Sequence, residues 1–368
     1  MFDSKYINAM KAGIFKGNSY YGYTPSVLKS GICKYYRRGI WDKFEWCIIE
    51  MALFLKVSDG SGQGLFTNLI NRLKILLMEE IVYSQINDIE KAIKCLEEAQ
   101  SATLFEDKIT KLLQYCAIVK ELKRGRLVSY INNLAKNNIK QENTDGLKLC
   151  EVIKFKKPND SERLLLLGEL FITYLTKPNG KFRIFNIFCL LIKDESHLST
   201  GTRWRRKEPV YLLWEILLYY SKTISVSTYN VVDFAKTMFY RKNMKERAAF
   251  GIWAISIVDF KLNNTNIEYD DDIYNIDYIE NLPIEIDNTY FKNRKKLVIN
   301  EEFVIKDFHV NKSYGLKKFA EEGAFVVDED LSVLGKWGPK LKEYYIAIKS
   351  GSTEKFNETP IRSKIKRV

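Results

Sequence analysis

The residues best suited to bind something are cationic. Arg203-Trp204-Arg205-Arg206-Lys207 sets four positive charges around one indole. That composition suits phosphate contacts combined with base stacking, and it also suits a solvated surface. Lys34, Arg37 and Arg38 form a second cluster around two tyrosines. Lys123, Arg124 and Arg126 form a third inside KELKRGR (120–126), and NRKK (293–296) is a fourth. Arg37 and Arg38 have an alternative reading, because cations in the last turn of a helix complement its macrodipole. The chain carries 58 Lys and Arg against 46 Asp and Glu, a net charge of +12 in 368 residues. An excess of this size suits a polyanionic partner, since each Lys or Arg beside a phosphate releases a condensed counterion.

Other chemistries find less material. There are two histidines, His197 and His309, and six cysteines with no C-x-x-C spacing. Zinc sites and Ser-His-Asp or Cys-His centres are therefore not expected, and the cysteines read as buried free thiols. DGSGQG (59–64) alternates glycines, but Leu65 and Phe66 follow where a phosphate-binding loop needs Lys and Ser/Thr. Glu79 and Glu80 are neighbours at a helix end, and adjacent helical residues point about 100° apart rather than onto one catalytic face. Asp270-Asp271-Asp272 could take a divalent ion, and Asp307 and His309, two residues apart, would share one face of a strand. The first is a lone acidic triplet in a loop, and the second has no third partner in the sequence. A structural histidine beside a carboxylate explains the second pair more simply. The expectation is no enzyme activity and no cofactor.

The elements that must position these groups are helices. From Ser26 to Leu55 apolar residues recur three or four apart on both sides of Arg38-Gly39, which predicts a helical hairpin with the glycine ending its first arm. Leu65–Val82 carries a continuous apolar stripe. Asn87 followed by Glu90 resembles a capping box, and helices are predicted over about 103–122 and 126–138. Asn137–Gly146 reads as a polar linker. Further helices are predicted over 161–176, 181–193, 208–221, 228–241 and 245–260, with Pro209 in a first helical turn. YLLWEILLYY and AAFGIWAISIVDF are apolar nearly all round, the pattern of helices buried among helices. Residues 263–290 hold eight carboxylates and no Lys or Arg, an acidic loop able to fold over a basic groove. The fold class is mainly α. The expected layout is an irregular arm (1–25), a helical domain (26–140), a second helical domain (150–262), the acidic loop, a mixed extension (291–350) and a basic tail (351–368). No signal peptide or membrane-spanning stretch is evident, so a soluble cytoplasmic protein is expected.

Three segments add a resemblance. Lys34, Arg37, Arg38 and Gly39 end one helix, Trp46 and Glu50 lie in the next, and Asn71-Arg72-Leu73 precedes Glu79-Glu80-Ile81. This order resembles the helical collar of the RarA/MgsA family of clamp-loader-related ATPases over residues 24–135, with Glu80 in place of the usual Asp and Val82 in place of Gly. The sequence contains no Walker A, Walker B or arginine finger to match the family's ATPase module. Residues 304–330, with Asp307, His309, Gly315, Phe319, Glu322, Gly323 and Ala324, are similar to a segment in proteins of large cytoplasmic DNA viruses, Val310 standing in place of a Thr. The resemblance implies a collar-like domain that self-associates without ATP hydrolysis. The expected function is a non-enzymatic, oligomeric accessory factor of DNA replication or DNA binding, viral and in the host cytoplasm. Phosphate contacts would come from Lys34, Arg37, Arg38, Lys123, Arg124, Arg126, Arg203, Trp204, Arg205, Arg206 and Lys207. The alternative is an assembly or protein-interaction component that binds no nucleic acid.

Overall fold

The computed structural model describes residues 7, 10, 17–57, 60–83, 85–125, 128–129, 132, 139–177, 181–198, 208–241, 244–263 and 294–299. The fold is mainly α, with ten helices and no strand beyond isolated bridges among the described residues. The chain divides into two compact units. Residues 1–125 and 271–334 form unit 1, and 126–270 and 335–368 form unit 2. The acidic loop beyond Asn263, the mixed extension beyond Ile299 with Asp307 and His309, and the basic tail lie outside the described residues, as does most of the helix expected over 126–138.

Unit 1 contains α1 (Pro25–Arg38), α2 (Trp41–Ala52), α3 (Gly62–Glu79), α4 (Ile86–Ser101) and α5 (Phe105–Glu121), with a 3₁₀ turn over Leu53–Lys56. The predicted hairpin forms. Thr24 caps α1 by accepting from the Val27 amide at 3.4 Å, and Pro25 opens it with a ring that needs no amide partner. Gly39 closes it at φ +67°, donating its amide to the carbonyls of Tyr35 and Tyr36. A side chain there would be strained by φ and would meet the Arg124 guanidinium at 2.7 Å. α3 begins three residues earlier than the apolar stripe predicts. Gly62 opens it, and a Cβ at Gly62 would fall 1.8 Å from the Phe54 carbonyl oxygen. The helix start is thus set by close backbone approach, which a hydrophobic pattern does not register. The capping box expected at Asn87 is absent: the cap is Gln85, two residues earlier, and it makes no side-chain capping bond.

The core of unit 1 gathers one face from each helix. Leu28, Ile32, Tyr35 and Tyr36 of α1 meet Cys47, Ile48 and Met51 of α2, with Leu69, Leu73 and Leu77 of α3 and Ile109, Leu112 and Ile118 of α5 also fully buried. Each such aliphatic side chain stabilises by about 1.5–3 kcal/mol relative to exposure. The buried tyrosines keep their hydroxyls bonded: Tyr36 donates to the Val119 carbonyl at 3.1 Å and Tyr115 to the Leu73 carbonyl at 3.2 Å.

Unit 2 contains α6 (Glu162–Thr176), α7 (Lys181–Leu198), α8 (Tyr211–Ile224), α9 (Val226–Arg241) and α10 (Met244–Asn263). Ser161 caps α6 through the Leu164 amide at 3.2 Å. Pro209 stands in the turn before α8 rather than inside its first turn, with Val210 as the cap. Every residue of α10 from 247 to 260 is buried, as its all-round apolar sequence predicts. Phe188, Trp214 and Phe239 pack edge to face with centroids 5.3–6.2 Å apart. Gly251 admits this cluster, since a Cβ there would fall 1.8 Å from Phe188 Cζ. The polar stretch before α6 is held down by two side chains. Asn186 accepts from the Lys140 amide at 2.8 Å and donates to its carbonyl at 2.7 Å, and buried Glu169 accepts from the amides of Cys150 and Val152.

Candidate functional site

Two of the cationic residues expected to face phosphate lie in the interior. Lys34 and Arg37 are buried, at 4% and 5% exposure. Arg37 is committed to the interior: its Nε and Nη2 donate to the two carboxylate oxygens of Glu80 at 2.8 and 2.6 Å. A guanidinium so bonded and enclosed has no face for a phosphate, and Lys34 is enclosed as deeply, so neither is placed for the phosphate contact expected of it. Nearby, Arg72 Nε donates to Cys33 Sγ at 3.0 Å, and burial pushes the Cys33 thiol above its ordinary range.

Lys123 and Arg124 also serve the fold. The Lys123 amide donates to the Gln85 side chain at 3.1 Å, and its carbonyl accepts from the Val82 amide at 2.8 Å. Arg124 donates to the carbonyls of Tyr36 and Arg37 at 3.3 and 3.2 Å and lies 5.1 Å from the Trp41 ring centroid. It therefore finishes the C-terminus of α1, where orphan carbonyls attract a cation. Both side chains are half-buried. The Arg38 side chain, Arg126 and the whole of Arg203, Trp204, Arg205, Arg206 and Lys207 lie outside the described residues.

The most developed site on unit 1 is one that holds a peptide. Glu50 on α2 is fully buried. One carboxylate oxygen accepts from the Ser19 hydroxyl at 2.6 Å and the Tyr21 amide at 2.7 Å. The other accepts from Arg294 Nη1 at 2.6 Å, while Arg294 Nη2 donates to the Trp46 carbonyl at 2.9 Å. The guanidinium lies 4.6 Å from the Trp46 centroid and 5.6 Å from that of Tyr21, and these two rings stack 5.8 Å apart.

From Arg294 to Ile299 the chain is a non-helical strap, and side chains of unit 1 bind its backbone. The Tyr21 hydroxyl donates to the carbonyl of Arg294 at 2.5 Å and Trp46 Nε1 to that of Lys295 at 3.0 Å. The Tyr23 hydroxyl donates to the carbonyl of Leu297 at 2.8 Å, and Lys43 Nζ to that of Val298 at 3.2 Å. The Ile299 amide returns a bond to the Tyr23 hydroxyl at 3.1 Å. Lys295, Lys296 and Val298 are exposed, Leu297 is half-buried and Ile299 is buried. The groove thus grips main-chain carbonyls in a sequence-neutral way. The strap's own side chains are enclosed at two positions, Arg294 and, five places on, Ile299.

Local structure explains the groove. Trp46 and Glu50 are four apart and share a face of α2. Tyr21 and Tyr23 belong to a turn closed by hydrogen bonds between Ser19 and both Gly22 and Tyr23, with Gly22 at φ +88°. The sequence marked NRKK only as a basic cluster, and the signal for its partner was the i, i+4 pairing of Trp46 with Glu50. No helix among the described residues is long and apolar enough to cross a membrane. No protein-family model, curated protein or solved structure matches the chain.

Proposed function

We propose that this chain is a non-enzymatic interaction scaffold that acts by holding polypeptide and works as an oligomer. The observation that carries the reading is the groove on α2, where five hydrogen bonds to the strap backbone and one buried carboxylate grip an extended segment. In recognition of extended peptides, hydrogen bonds to the peptide's main chain supply affinity while side-chain pockets supply specificity. Light scattering of the full chain tests the oligomer: a mass of at least twice 43.1 kDa is expected, and 43.1 kDa at every concentration overturns it.

A second reading, a DNA-binding accessory factor, is favoured by the net charge of +12. With Lys34 and Arg37 assigned to the interior, its phosphate contacts would fall to Arg38, Arg126 and the 203–207 cluster. Filter binding is expected to show retention of DNA at low salt that falls steeply as salt rises. No retention even at low salt removes this reading and leaves the scaffold standing.

A further inference from the structure

We propose that the α2 groove is a binding site for arginine-anchored extended peptides of a partner protein, and that residues 294–299 are its resident pseudo-ligand. The proposal rests on the scaffold reading above and names the chemistry of what is held.

The anchor is specific. Glu50 is enclosed, and its two other donors, the Ser19 hydroxyl and the Tyr21 amide, are neutral. The charge on this buried carboxylate is balanced by Arg294 at 2.6 Å. An emptied groove presents this carboxylate as a negative charge with only neutral donors beside it, so it favours a charge-assisted hydrogen bond from a cationic guest. The guest is better an arginine than a lysine. One nitrogen of the guanidinium bonds Glu50 and another bonds the Trp46 carbonyl, while its plane faces aromatic rings, and a single ammonium cannot match that fork. At the far end, buried Ile299 calls for an aliphatic side chain. Between them the exposed Lys295 and Lys296 leave the intervening positions free. The ligand class is therefore Arg-x-x-x-x-aliphatic in an extended conformation.

The strap has the character of a guest rather than of a core element. Its backbone is bonded through side-chain hydroxyls, an indole and an ammonium, and three of its six residues are exposed. A tethered guest competes with any external peptide through its effective concentration, so the intact chain masks its own groove.

The test is fluorescence anisotropy with a labelled synthetic peptide spanning residues 292–300, titrated into the full-length chain. Arg294→Ala weakens the tether and is expected to bind the peptide about tenfold or more tighter than the unaltered chain does, the factor by which resident occupancy lowers apparent affinity. A peptide carrying Arg294→Ala should lose about tenfold or more in affinity for that same variant, and Arg294→Lys should fall between. Far-UV circular dichroism checks the fold. Should Arg294→Ala fail to fold, Ile299→Ser frees the other end of the strap and leaves the Glu50 pair in place, with the same expectation. A released groove that binds the peptide no better than the intact chain overturns the proposal, as does equal binding of the alanine peptide. Those failures together with a mass above the monomer's sink the pseudo-ligand and spare the scaffold. A strict monomer that still captures the peptide spares the groove and removes the oligomer.

Discussion

Unit 1 buries an arginine–glutamate pair twice, and the two arginines are held by different things. Arg37 sits in the last turn of α1 and reaches Glu80 at the end of α3, with exposures of 4% and 1% at 2.6 Å. Arg294 reaches Glu50 at the same 2.6 Å, with exposures of 8% and 0%. By distance and burial the pairs are near twins. They differ in the backbone beneath the arginine. Arg37 belongs to a helix whose other faces are packed against α2 and α3, so neither partner leaves without disturbing the core. Arg294 belongs to an extended segment, 294–299, whose ties among the described residues include side-chain hydrogen bonds, the contact of Lys296 with the Tyr23 ring and one buried isoleucine. Burial of an ion pair therefore does not reveal whether it is architecture or recognition. That depends on whether the cation's own backbone can depart while the rest stays folded.

The comparison can be broken most directly at Glu80. Glu80→Ala leaves the Arg37 guanidinium enclosed with its main anion gone. Orphaning one member of such a pair costs about 3–5 kcal/mol. Urea denaturation of the full chain should show that loss as a lower midpoint in the transition of unit 1. A change below about 1 kcal/mol, the scale of exposed pairs, would mean that Arg37 is less committed than its two short hydrogen bonds indicate. Arg294→Ala should act more weakly on global stability, by about 1 kcal/mol or less, because water reaches Glu50 once the strap lifts. Its effect should be local instead. Amide exchange should quicken over 294–299 and at Tyr21, whose amide donates to Glu50, and stay unchanged through α1 and α5. Equal global losses from the two variants would erase the distinction between architecture and guest.

The two sites were also unequally legible in the sequence. Helix existence followed from apolar spacing. Gly39 was recognisable as a helix end, since a left-handed cap is what glycine supplies at that place. The all-round apolar run of α10 announced its burial. Burial of Lys34 and Arg37 was not legible, because cations are mostly exposed and the partner, Glu80, lies 43 residues away. The same three-residue cluster suited a helix-end charge and a phosphate contact, and only the fold of α3 beside α1 decides between them. Arg124 illustrates the point again. Its place in a basic run suggested a surface patch, while its guanidinium finishes a helix whose end precedes it by more than 80 residues. The groove was harder still. Trp46 and Glu50 carry a visible i, i+4 spacing, but an extended segment 244 residues further on has no periodicity to connect it to them.

A thiol probe sharpens the comparison at the smallest scale. Cys33 lies inside α1 with Arg72 Nε at 3.0 Å from its sulfur, and it feels the charge of Arg37 and Glu80. Burial, the largest influence on it, raises its pKa, so near neutral pH it stays protonated and slow to react. Burial pushes the Cys116 thiol up as well. Cys150 is the exposed cysteine, and the other five are buried. A chromogenic disulfide reagent should therefore modify one thiol quickly in the folded chain, with Cys150→Ser abolishing that phase. The slow phase then reports opening of the interior. Glu80→Ala should speed modification of Cys33 by about a hundredfold if opening follows a loss of about 3 kcal/mol. Arg294→Ala should leave that rate where it was, because lifting the strap uncovers α2's outer face and not the α1 interior. Acceleration of Cys33 by both variants would show that the strap helps hold the core shut. The pair at Glu50 would then belong with architecture after all.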